Sequence, residues 1–88
     1  MFFKIIENYI NNLNKNDIIL FANKNNINLS NKELDYIYNT IKKDYKLLLS
    51  DNYNIIFKNA SNVIAHDKLK KIYNLFLDYR NKYINYLN

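Results

Sequence analysis

The chain has no glycine, no proline and no cysteine among its 88 residues. Without proline nothing breaks a helix outright. Without glycine no residue takes up positive φ freely, so turns and helix ends fall to Asn, Asp and Ser. The missing glycine also excludes a Walker loop and a dinucleotide fingerprint, because both need backbone approaches that a side chain blocks. The missing cysteine excludes disulfides, Cys-ligated zinc, iron–sulfur clusters and thiol nucleophiles. Long apolar runs are absent too. The longest, Ile18 to Ala22, falls far short of the roughly 18–20 residues of a membrane span. The opening MFFKIIENYI has no basic n-region, and Lys4 and Glu7 interrupt its apolar stretch, so no secretory signal is read there. A soluble cytoplasmic protein is the expectation.

What is present in abundance is Asn, Ile, Lys and Tyr, at 19, 13, 12 and 9 residues. All four are written by A/T-rich codons, so part of this composition records coding bias. Hydrophobic residues at 49% and charged residues at 24% are ordinary for a globular chain. With Ile, Leu, Phe and Tyr spread throughout and a net charge of only +5, disorder is disfavoured. One domain over residues 1–88 is expected, burying roughly 60–65% of the surface its unfolded chain exposes. The charge is not even: residues 67–88 carry +3, whereas residues 50–66 are neutral. This excess permits contact with nucleic acid or the ribosome without demanding it.

The periodicity predicts an all-α fold, a compact bundle of about five helices in which short capped helices precede a longer last one. Phe2, Phe3, Ile6, Tyr9, Ile10 and Leu13 form the apolar face of a first helix. Its polar side lacks the basic charge that favours anionic lipid, so core packing is preferred to a membrane-surface anchor. Asn14 then reads as an N-cap, with Asp17 in the first turn of a second helix. That helix is apolar nearly all round and is expected to be short and central. Asn25 and Asn26 close it. Ser30 and Glu33 form a capping box for a third helix carrying Leu34, Ile37, Tyr38, Ile41 and Tyr45. It is expected to end between Lys43 and Tyr45, with Lys46 to Leu49 as a connector. Ser50 is expected to cap a fourth helix containing Tyr53, Ile56, Phe57 and Ala60. After a break at Ser61 and Asn62, the stripe Ala65, Leu69, Ile72, Phe76, Tyr79, Tyr83 and Tyr86 marks the last helix, either packed on the others or self-associating.

Chemistry finds little to stand on. The single histidine, His66, has an acid only at the adjacent position, and neighbours on a helix do not face each other. No metal or cofactor ligand set is read, and no carboxylate pair suggests acid–base catalysis. The sharper reading is nucleic-acid or partner contact through Lys68, Lys71, Arg80 and Lys82 of the last helix, interleaved with tyrosines. Against it, Lys71 and Lys82 each follow an acid by four residues, the favourable spacing for intrahelical pairing. Arg80, the only arginine, is read as a simply exposed cation in preference to one stacked on an aromatic or forked onto a carboxylate.

Between Leu13 and Tyr79 the chain resembles the YqfT-like family, short uncharacterised proteins of low-GC Gram-positive bacteria. The resemblance rests on Asp17-Ile18-Ile19-Leu20-Phe21-Ala22, Ile27-Asn28-Leu29-Ser30, Leu48-Leu49-Ser50-Asp51, the segment Ile55 to Ser61, and Leu75-Phe76. The chain departs from that family in lacking a glycine, an arginine and a proline around the third connector and before the last helix. The resemblance implies an all-helical cytoplasmic protein and supplies no catalytic residues. Together these readings point to a non-enzymatic domain that binds a macromolecule, a protein ahead of nucleic acid or ribosome, with self-association as a further alternative.

Overall fold

Among the described residues five helices follow one another: α1 (Phe2–Asn12), α2 (Lys15–Lys24), α3 (Asn31–Leu49), α4 (Asn54–Ala60) and α5 (His66–Leu87). The computed structural model describes the backbone of residues 2–87 and the side chains of residues 4–82. The expected packing of Phe2, Phe3, Tyr83 and Tyr86 lies outside the described side chains. The fold is the all-α bundle that the periodicity predicts. Its radius of gyration is 12.8 Å, close to the about 12 Å of a folded chain this long.

Local caps set the helix starts. At α2 the Asn14 side chain accepts from the Asp17 N–H at 2.9 Å, while Asp17 accepts from the Asn14 N–H at 3.1 Å, completing a capping box. At α3 the Glu33 N–H donates to Ser30 Oγ at 3.1 Å, and the Ser30 N–H to Glu33 Oε1 at 2.9 Å. The end of α2 is a Schellman turn made without glycine. Asn26 takes φ 60°, Ile27 N–H donates to the Ala22 carbonyl at 2.8 Å, and Asn26 N–H to that of Asn23 at 3.2 Å. Ala22 and Ile27, the apolar pair that this turn brings together, are both buried.

Helices α1 and α2 pack on α3, and α4 packs on α5. The two groups meet in a cluster of Ala60, Ile64 and Leu69, against which Tyr36 and Ile37 of α3 and Phe57, Val63 and Ile72 are laid. Beside it the rings of Tyr53, Phe57, Tyr73 and Phe76 stack at centroid distances of 4.9 to 6.4 Å.

Four expectations are corrected. Helix α2 is not central: only Ile18 and Ala22 are buried, because it packs chiefly on α3, and Ile19, Leu20 and Phe21 stay open. Helix α3 does not end near Tyr45. Asp44 leaves helical geometry (φ −113°, ψ 21°), but Leu47 to Leu49 resume the helix, so the break is a kink and not a connector. Ser50 closes α3 and does not cap α4. Its hydroxyl donates to the Leu47 carbonyl at 2.7 Å and accepts from the Asn52 N–H at 3.1 Å, and α4 begins only at Asn54. Tyr9, Ala65 and Tyr79, placed on buried faces by the spacing, are exposed; one helix neighbour covers only a narrow stripe of each.

The left-handed Asn26 is directly testable. Asn26→Gly is expected to raise stability slightly, whereas Asn26→Val should lower it by about 1–2 kcal/mol in urea denaturation. Equal midpoints for the two variants would remove the strain argument.

Candidate partner-binding surface

The four cations singled out on the last helix have different surroundings. Lys68, in the first turn of α5, donates to Glu33 Oε1 at 2.9 Å. Glu33 is 6% exposed and also accepts from the Ala65 N–H at 3.3 Å, immediately ahead of α5. Ala65 has no side chain that can cap a helix, so the carboxylate of α3 does it from outside. The Ser30 backbone N–H and the Lys68 ammonium together hold the Glu33 carboxyl well below the usual range, at about 2 against 4.5, while burial pulls the other way.

Arg80 is not the exposed cation that the sequence reading favours. Its side chain is 13% exposed, with the guanidinium carbon 4.7 Å from the Tyr53 ring centroid. One terminal nitrogen donates to the Ser50 carbonyl and to Asp51 Oδ1, each at 3.2 Å. The planar guanidinium can lie on a ring and donate from its edge at once, and the broken chain after α3 offers both a ring and an acceptor. Among the described residues its buried Nε has no hydrogen-bond partner.

Lys71 and Lys82 stay exposed. Among the described residues no ion pair joins Asp67 to Lys71 or Asp78 to Lys82, contrary to the spacing, because hydration competes well with such open pairs. Lys82 Nζ instead lies 5.5 Å from the Tyr79 ring centroid. The four residues therefore do not converge into one basic face.

His66 is exposed at the start of α5. With Phe57, Leu69, Lys70 and Tyr73 it lines an open, mostly apolar hollow of about 220 Å³ without a carboxylate among its walls. The Tyr73 hydroxyl donates to Asn54 Oδ1 at 3.1 Å. Loss of solvent contact and the neighbouring Tyr53 hydroxyl push its pKa up, away from any role as a base near neutrality. Among the described residues no group of three His, Asp or Glu side chains could hold a metal ion, and no helix is long and apolar enough to cross a membrane.

What the structure does place in the open is large apolar side chains. Ile5 and Tyr9 stand outward on α1, each 69% exposed, and Leu20 on α2 is 60% exposed. Ile19, Phe21, Ile55 and Tyr79 are also open. Phe21 and Tyr79 meet across α2 and α5 with ring centroids 5.7 Å apart and planes tilted by 55°. Leu20, next to Phe21 in the chain, is open on a different side of α2, with the exposed Lys24 one turn on. The sequence reading missed this seam, although its signal was there: a helix apolar all round keeps an open side unless the domain is large enough to surround it.

No family model, curated protein or solved structure matches this chain.

Two predictions follow from Glu33 and Arg80. A depressed pKa in the folded state means that the carboxylate stabilises fully above about pH 4.5 and loses that effect as pH falls toward 2. About 2 kcal/mol of unfolding free energy should disappear across this window once solvent screening is allowed for. Glu33→Gln should flatten the curve measured by denaturation against pH; an equally steep curve in that variant would assign the loss to other carboxylates. For Arg80, replacement by Ala should cost about 1–3 kcal/mol, with Lys intermediate because it keeps the charge but loses the planar stack. A denaturation midpoint unmoved by Arg80→Ala would return Arg80 to the free surface cations.

Proposed function

We propose that this chain is a non-enzymatic, cytoplasmic helical module that binds another protein. The observation that carries the reading is the set of large apolar side chains left open on α1, α2 and α5, above all where Phe21 meets Tyr79. Single exposed hydrophobics are ordinary on any surface, but open residues from two helices in contact form an apolar seam of the kind that partners cover. The family proposed on the resemblance, the YqfT-like proteins, is compatible with this reading and adds no activity to it.

The structure supports the nucleic-acid reading less. Of the four cations that motivated it, Lys68 is engaged by Glu33 and Arg80 by Ser50, Asp51 and Tyr53, leaving Lys71 and Lys82 free to reach phosphates. Self-association through the last helix's stripe also loses support, because Leu69, Ile72 and Phe76 already pack inside the fold.

Affinity capture on the full chain from native lysate, with and without nuclease, separates the readings. Protein partners are expected to persist after nuclease treatment, and Leu20→Ser should reduce their retention about tenfold, the loss of one buried Leu side chain. Retention that vanishes with nuclease would reverse the order of the two readings, and a monomer that retains nothing would end both.

A further inference from the structure

We draw no further inference here: the strongest candidate, the open apolar seam where Phe21 of α2 meets Tyr79 of α5, belongs to the surface already described, and nothing in the structure shows what covers it.

Discussion

The two carboxylate oxygens of Glu33 join parts of the chain that lie 32 and 35 residues apart. One oxygen accepts from the Ser30 N–H and from the Lys68 ammonium, and the other from the Ala65 N–H. The start of α3 and the start of α5 are thereby set against the same charge, each presenting N–H groups that nothing else on its own helix satisfies. Leu69, the α5 residue most deeply placed in the joint cluster, lies one turn beyond Ala65, so this carboxylate positions the helix that closes the core. A part-buried ion pair of this kind is weak evidence for net stability against a well-packed apolar substitute, but removing one partner alone is costly. Lys68 is thus part of the architecture before it is part of any surface.

The same logic extends to the helix ends, where a chain without glycine has to find other ways to satisfy carbonyls. Lys42 of α3 donates from Nζ to the Ile10 and Asn11 carbonyls, at 2.6 and 3.0 Å, and so closes α1. Helix α2 ends on the left-handed Asn26. Helix α3 ends on the Ser50 hydroxyl, with Arg80 donating to the Ser50 carbonyl. Helix α4 ends on Ser61, whose hydroxyl donates to the Lys58 carbonyl at 2.6 Å. Two of the four closures use a cation from a distant helix, the sign that the negative end of a helix dipole favours. Part of the basic excess therefore serves the backbone, and net charge overstates what is left for an anionic partner.

This division explains which features could be read from the amino-acid order. Devices that act over three or four residues were legible: the N-cap at Asn14 with Asp17 in its first turn, the box at Ser30 with Glu33, and the closure at Asn25 and Asn26. Their geometry is local, and few residues other than those present can make them. The interruption near Asp44 was legible in position but not in kind, since nothing local distinguishes a kink from a connector when Leu47 to Leu49 are good helix formers. The long-range partners were not legible. Lys68, Arg80 and Lys42 look like any exposed lysine or arginine until the fold brings Glu33, Ser50 and Ile10 to them. Ser50 misled because a serine hydroxyl, though favoured at a helix start, can also donate back to a carbonyl at a helix end, as it does to Leu47.

The open apolar surface has its own cause in size. Among the described residues the core side chains retain 4–9% exposure and no large one is wholly sealed, so the interior is thin. Five helices in 88 residues cannot enclose any one of them, and an element apolar around most of its circumference keeps an uncovered side. Coding bias toward Ile adds scattered cases such as Ile5 and Ile55, which solvent tolerates singly. The contact of Phe21 with Tyr79 is different in kind, since the two rings come from helices far apart in the chain and both stay open. Composition alone scatters exposed side chains at random over the surface, whereas packing that stops short of burying a cross-helix pair leaves two apolar rings open side by side. That contiguity, more than the charge of α5, is the physical ground for reading this fold as one that meets another protein.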